Sequence, residues 1–507
     1  MSNLRNYKTG GILHVIANNQ IGFTTTPKDG RSTPFCTDIG KGYDSPIIHV
    51  NADNPIAVDF AFTLAAEFSR KFPKDIIVDI IGYRRHGHNE LDQPKFTQPE
   101  MYSRIEKRKD VLQLFEERLV SEGIDPTLLR NIKEKVKANL EQYYKEAMLI
   151  TEKEKDPVPI QWVGFSSDIY SPPNTTGYPV KFLQEIGKQI TTIPKEFNAH
   201  PTIRKIYENR YNTIQEGKNI DWATAEALAF ACLLKEGEVV RLSGQDVERG
   251  TFSHRHSVVH DQVTGEKYIP MNSILENKGN FQVCLSHLSE FAVLGFEYGF
   301  STYSPRSLCL WEAQFGDFAN GAQVIIDQFV VSAEAKWNQS SGLVMLLPHG
   351  MDGQGPEHSS ARIERFLQLV DDDERAVVNV DKNLEREMQT QKTNIQICNP
   401  TSPANYFHSL IRQQRRKFRK PLIIPSPKKL LRYKNAVSDL VDFAETKMYK
   451  KVRGEIENEV LSNRSKVSKL IICSGQVYYD LVERRSKLGR NVIIFFLIYS
   501  RTLQLLP

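Results

Sequence analysis

Apolar and amphipathic stretches alternate along most of this chain. Residues 12–17 form a β-prone run behind Gly10 and Gly11 and predict a buried strand. A second apolar run, 46–50, leads into Asp53 and Asn54, either of which can cap a helix, and Pro55, which suits a first turn. That helix is expected to reach about Phe72, and 75–83 predicts another strand. Strand, helix, strand at this spacing indicates a parallel α/β sheet, whose ligands bind beyond the carboxyl ends of its strands. From 101 to 147 the period is helical. Val111, Leu112, Phe115 and Leu119 make one apolar face, and Ile132, Val136, Leu140, Tyr143 and Ala147 make another. Prolines 157, 159, 172, 173 and 179 then interrupt any period and mark a linker. A second α/β series follows: helix 222–235, strand 238–242, helix 290–302, and strands 307–311 and 342–347. Residues 469–474 and 491–499 predict strands of a third unit, and the polar stretch 370–392 reads as a surface insertion.

Composition narrows the class. At 507 residues, 40% hydrophobic and 25% charged, the chain has the make-up of a soluble, core-forming protein of two to four domains. A net charge of +5 is too dilute to imply a polyanion partner, so nucleic acid is not expected. The longest apolar run, 492–499, is far shorter than the ~20 residues that span a bilayer, so no membrane segment is expected. Residues 1–11 carry neither a signal peptide's apolar stretch nor an Arg-rich amphipathic presequence. The six cysteines are scattered and lie partly in apolar runs, which suits buried thiols in a reducing compartment. Between Arg412 and Lys434 lie ten basic residues and no acidic one, read either as a solvated helix face with its loop or as a docking patch for an anionic ligand or a lipoyl-bearing partner.

Five polar segments can carry chemistry. Asn18-Asn19-Gln20-Ile21 follows the first strand and offers hard oxygen ligands for Mg²⁺, although such a pair also makes a plain turn. Residues 83–92 (YRRHGHNELD) place arginines and histidines after a strand, which suits an anion better than zinc. Residues 241–256 (RLSGQDVERGTFSHRH) are denser in polar side chains than folding alone requires. Glu290 opens a predicted helix, where a carboxylate can offset the helix dipole or protonate a heterocycle nitrogen. Residues 348–362 (PHGMDGQGPEHSSAR) form a glycine-rich loop that brings His358 to the head of a helix, without the Gly-Lys-Ser/Thr of a phosphate-binding loop.

The runs NNQIGFTT, YRRHGHNELDQP, SGQDVERGTFSHRH, LSEFAVLGFEYGF, LWEAQFGDFANGAQVIIDQF and LLPHGMDGQGPEHSSARIERFLQL closely resemble, in the same order, the thiamine-diphosphate-dependent decarboxylating component of 2-oxoglutarate dehydrogenase complexes. The resemblance covers about residues 2–490. It implies a transketolase-like α/β fold of parallel sheets flanked by helices, truncated at both ends. The implied division is 1–155 as the C-terminal part of the diphosphate-binding domain, 156–218 as a linker, 219–400 as the pyrimidine-binding domain, and 401–507 as the start of a truncated C-terminal α/β domain. It also assigns roles: Asn19 and the Ile21 carbonyl to Mg²⁺, Ile21, Gln245 and His88 to the cofactor, Glu290 to the aminopyrimidine ring, and His358 to the substrate. The implied activity is oxidative decarboxylation of 2-oxoglutarate in the tricarboxylic acid cycle, with the succinyl group passing to a lipoyl-lysine of the dihydrolipoyl succinyltransferase component. In this fold the cofactor usually lies between domains of different subunits, so a homodimer is expected, mitochondrial in a eukaryote and cytoplasmic in a bacterium.

Departures from the pattern shape the remaining expectations. The family's Gly-Asp-Gly/Ala motif, with its metal-binding aspartate, and its N-terminal substrate histidines would lie upstream of Asn19, so the chain made alone is expected to be inactive. After about Arg490 the sequence IIFFLIYSRTLQLLP leaves the family pattern. A 2-oxoadipate-decarboxylating relative and a non-catalytic assembly subunit or pseudoenzyme stand as alternatives. The HGHNE and FTQP segments favour 2-oxoglutarate.

Overall fold

The computed structural model describes residues 4–150, 159–167, 171, 175–274, 279–372, 391–455, 462, 465, 467–488 and 492–497. It divides into two compact units, Met1–Asp156 and Pro157–Pro507. The insertion expected at 370–392 falls almost wholly outside the described residues.

In the first unit, β1 (Leu13–Asn18), β2 (Ile47–Asn51) and β3 (Ile76–Ile81) form a parallel sheet in the order β1-β3-β2. Each strand is a short apolar run, as a sheet flanked by helices requires. The crossover helix Pro55–Lys71 starts where Asn54 accepts the Ala57 amide at 3.2 Å, with Pro55 in its first turn. Its Ala61 and Ala65 pack on Val50, Ile76 and Val78 to make a small core. The helices Val111–Ser121 and Pro126–Met148 follow as the periodicity predicts. Their apolar faces are not buried within this unit: Ile132, Val136, Leu140 and Tyr143 are all exposed.

The second unit is built on a six-stranded parallel sheet. Its strands are β4 (Val239–Gly244), β7 (Asn280–Leu285), β8 (Ser307–Glu312), β9 (Val344–His349), β10 (Gln396–Ile397) and β11 (Leu422–Pro427), in the order β10-β11-β9-β8-β4-β7. A small hairpin, β5 (Val259–His260) with β6 (Lys267–Tyr268), lies between β4 and β7 in sequence. Side chains alternate strictly across the sheet. Val240, Leu242, Leu308, Leu310, Val344 and Leu346 join the core that includes the helices Val180–Thr191, Trp222–Lys235 and Pro403–Arg415. Cys309, Trp311, Met345 and Leu347 join the opposite core, beneath the helix Glu290–Tyr303. A further sheet pairs β14 (Val492–Leu497) in parallel with β13 (Lys469–Cys473) and antiparallel with β12 (Val452–Arg453).

Two boundaries differ from the sequence reading. The stretch 156–218 is not a linker throughout: it carries the helices Val180–Thr191 and Pro201–Glu216, whose Leu183, Ile186, Ile190 and Ile214 are fully buried in the unit's core. The proline cluster 157–179 stops there, and an apolar period of three to four residues begins at once. The six-stranded sheet also runs past residue 400, because β11 pairs with β9 along its whole length.

Candidate active site

The carboxyl ends of β4, β8, β9 and β11, together with the helix that follows β7, bring the second unit's polar motifs together. Ser289 caps the helix Glu290–Tyr303 by accepting the Ala292 amide, so Glu290 stands in the first turn, where the helix dipole favours a carboxylate. Gln245, one residue past β4, donates from Nε2 to Glu290 Oε1 at 3.1 Å. Gly321 approaches the same carboxylate so closely that a Cβ there would lie 3.2 Å from Oε2. Two residues singled out separately in the sequence therefore form one half-buried pair, with its second oxygen beside a residue that lacks a side chain.

An aromatic wall flanks the turn after β8. Phe315 stands edge-on to Phe252 at 5.6 Å, to Phe318 at 5.8 Å and to the ring of His358 at 4.5 Å. Asp317, nearly fully buried, accepts the amides of Ser359 and Ser360 through Oδ1 at 3.2 and 3.0 Å, and its Oδ2 has no hydrogen-bond partner. His349, at the end of β9, accepts the Ala361 amide at Nδ1, and burial lowers its pKa. Flat apolar rings with a histidine edge among them fit an aromatic heterocycle.

The dense motif at 241–256 does two jobs. Gln245 faces Glu290, while Arg255 is buried between Glu226 at 2.6 Å and Glu312 at 2.5 Å, and the Tyr406 hydroxyl donates to Glu226 at 2.7 Å. This network ties the loop to helix Trp222–Lys235 and to the end of β8. His254 is pushed well below the usual histidine range by burial, then by Arg255 and Arg210, and its Nδ1 has no partner. Asp246, next to Gln245, lines a cleft of about 400 Å³ together with Glu248, Arg249 and His256.

In the first unit, Asn19 and Ile21 share one turn at the carboxyl end of β1. Asn19 Oδ1 accepts the Ile21 amide at 3.3 Å, and Gln20, at φ +62°, donates its side-chain amide to the Gly82 carbonyl at 2.8 Å. The turn and the metal-ligand readings are compatible, because a carboxamide oxygen has a second lone pair. Among the described residues no group of three or more His, Cys, Asp or Glu could hold a metal ion. His88 is exposed, with its ring edge-on to Phe23 at 4.8 Å. The Phe23 carbonyl accepts from Thr97 and Gln98, which joins the FTQP segment to the loop after β1.

The basic run at 412–434 spends much of its charge inside the fold. Arg419 donates to the carbonyls of Pro305, Gln414, Arg416 and Phe418, Lys420 pairs with Glu334, Arg415 with Glu236, and Arg412 and Arg416 donate to Gln396. Sequence reasoning did not single out Phe315, Asp317 or Arg255. The first two stand in a run quoted only for its resemblance, and Arg255 needs partners 29 and 57 residues away that no local pattern reveals.

Three family models match the chain: "Dehydrogenase E1 component" over residues 1–158, "Transketolase, pyrimidine binding domain" over 218–434 and "2-oxoglutarate dehydrogenase C-terminal" over 437–498. The chain is 47% identical over 492 residues to the mitochondrial 2-oxoglutarate dehydrogenase of Dictyostelium discoideum, an alignment covering 96% of this chain and 48% of that protein. It is 47% identical over 507 residues to the mitochondrial 2-oxoglutarate dehydrogenase of Saccharomyces cerevisiae, covering 98% and 49%. It is 46% identical over 499 residues to the 2-oxoglutarate dehydrogenase E1 component of Brucella anthropi, covering 96% and 48%. The chain thus spans about half the length of the curated relatives it matches.

Proposed function

We propose, from the premise that this chain belongs to the family of 2-oxoglutarate dehydrogenase E1 components, that it takes part in the oxidative decarboxylation of 2-oxoglutarate and the transfer of the succinyl group to a lipoyl-lysine of the succinyltransferase component. The observation that carries this reading is the Gln245–Glu290 pair at the head of the helix Glu290–Tyr303. Thiamine diphosphate, when bound, supplies the electron sink for cleavage of the carboxylate bond. Glu290 holds a proton at the pyrimidine ring nitrogen, and Gln245 fixes the carboxylate that does so. His358 orients the 2-oxo acid and exchanges a proton with it. The Asn19 side-chain oxygen and the Ile21 carbonyl hold Mg²⁺, and His88 offers a donor to the diphosphate.

A homodimer belongs to this reading. Ile56, Phe60 and Leu64 form an exposed apolar face on helix Pro55–Lys71, which supports association with a second copy. Relatives of this chain include mitochondrial and bacterial proteins, so the compartment is the matrix in a eukaryote and the cytoplasm in a bacterium.

The test uses the enzyme isolated from its own cells and identified by peptides of this chain. Release of labelled carbon dioxide from 2-oxoglutarate should require both thiamine diphosphate and Mg²⁺ and should exceed that from 2-oxoadipate. Glu290→Gln should lower kcat by about 100-fold or more, the usual scale for losing a proton-transfer group. Faster turnover of 2-oxoadipate, or turnover indifferent to Glu290, would overturn the reading.

A further inference from the structure

His358 sits on a loop that glycine makes pliable. Gly350, Gly353 and Gly355 have φ of +152°, +83° and +98°, values that L side chains seldom adopt, and little of the stretch 350–358 is regular structure. Side chains from two neighbouring strand ends nevertheless hold it. Asp317, from the turn after β8, takes the amides of Ser359 and Ser360. Lys428, the first residue past β11, donates from Nζ to the His358 carbonyl at 2.6 Å and to Gln354 Oε1 at 2.9 Å. The histidine is therefore gripped at its own carbonyl and at the next two amides, while its ring rests edge-on against Phe315 and Phe318.

A packing role alone accounts poorly for Lys428. It is only 5% exposed, and both of its hydrogen-bond partners are neutral oxygens of one loop. Burying an ammonium costs free energy that an apolar residue of similar length would not incur. Burial lowers its pKa, and the carboxylates of Asp352 and Asp317 oppose that shift. We propose that Lys428 is a positioning residue: with Asp317 as the opposite jaw, it clamps the loop 350–360 so that the His358 ring is presented at a fixed place beside Phe315. This rests on the proposed function for what His358 acts upon, whereas the clamp itself is a property of the fold.

The experiment compares Lys428→Met, Lys428→Arg and Gln354→Ala with the wild type and with Lys429→Met, a change at the exposed neighbour. Amide hydrogen exchange of peptides covering 350–360, and the rate at which diethylpyrocarbonate modifies His358, are measured without substrate or cofactor. Lys428→Met should speed both several-fold, Gln354→Ala should do so more weakly, and Lys428→Arg should restore much of the wild-type protection. In the holoenzyme, Lys428→Met should lower kcat for 2-oxoglutarate by about 100-fold, the scale of an ångström-sized misplacement, with a smaller change in KM and an unchanged requirement for thiamine diphosphate. Unaltered exchange and His358 reactivity in both Lys428→Met and Gln354→Ala overturn the clamp. Faster exchange with an unchanged kcat overturns the positioning role. Should Lys428→Met fail to fold, Gln354→Ala and Lys428→Arg decide the same two points. If the wild type does not act on 2-oxoglutarate and the exchange effects hold, the proposed function falls and the clamp stands.

Discussion

Arg255 shows how much charge this fold places out of reach of water. Its guanidinium, 4% exposed, answers two carboxylates, and Glu226 also takes the Tyr406 hydroxyl. Arg255→Met would leave Glu226 and Glu312 buried without their cation, so urea unfolding should show a loss of roughly 3–5 kcal/mol. Histidines supply a second prediction. Burial holds His254, His256, His349 and His408 below the ordinary histidine pKa, and at His408 it outweighs the hydrogen bonds with Thr176 and the Asp442 carbonyl, which act the other way. As pH falls through about 6.5, the unfolded chain takes up protons that the folded chain refuses, so stability declines on the acid side, with a ceiling of roughly 1.4 kcal/mol per pH unit for each such group. Denaturation midpoints measured from pH 7.5 to 5 should fall, and His408→Asn should flatten the slope. At this scale the sequence singled out Gln245 and Glu290 separately, and the structure adds that their side chains meet at 3.1 Å. Lys428 was hidden because a basic run looks the same whether its charges face solvent or carbonyl oxygens.

Among the elements, the strand ends set the precision of the site. Gly244 closes β4 immediately before Gln245, and a Cβ there would lie 2.2 Å from the Glu312 carbonyl oxygen at the end of β8. Gly244→Ala must therefore wedge β4 away from β8 where the site begins. It should lower the melting temperature and weaken thiamine diphosphate binding together, which calorimetry and cofactor titration would register. The helix Trp222–Lys235 was readable to the residue because its apolar run carries a clear cap in Asp221. Strand β11 was not, because its segment LIIPSP holds two prolines, which usually argue against a paired strand. The structure reconciles them: β10 pairs only with Leu422 and Ile423, so Pro425 and Pro427 lie where one neighbour alone needs a donor.

For the molecule as a whole, composition allowed two to four domains and said nothing of how unequal their cores are. The first unit's buried apolar cluster is Val50, Ala61, Ala65, Ile76 and Val78, whereas the second has two extensive clusters, one on each face of its sheet. Scanning calorimetry should resolve two transitions, with Met1–Asp156 melting first, and a single cooperative transition would refute this separation. The helix period at 126–148 was legible, but a period shows which residues share a face and not what covers that face. The strand order β10-β11-β9-β8-β4-β7 bears on how the protein is made. Once residue 349 has left the ribosome, β9 has β8 on one side and a bare edge on the other, and the strand that seals it ends at Pro427. At typical synthesis speeds that gap lasts roughly 4–16 seconds. Throughout that interval the backbone donors and acceptors along that edge of β9 stand open to pairing with any other extended strand.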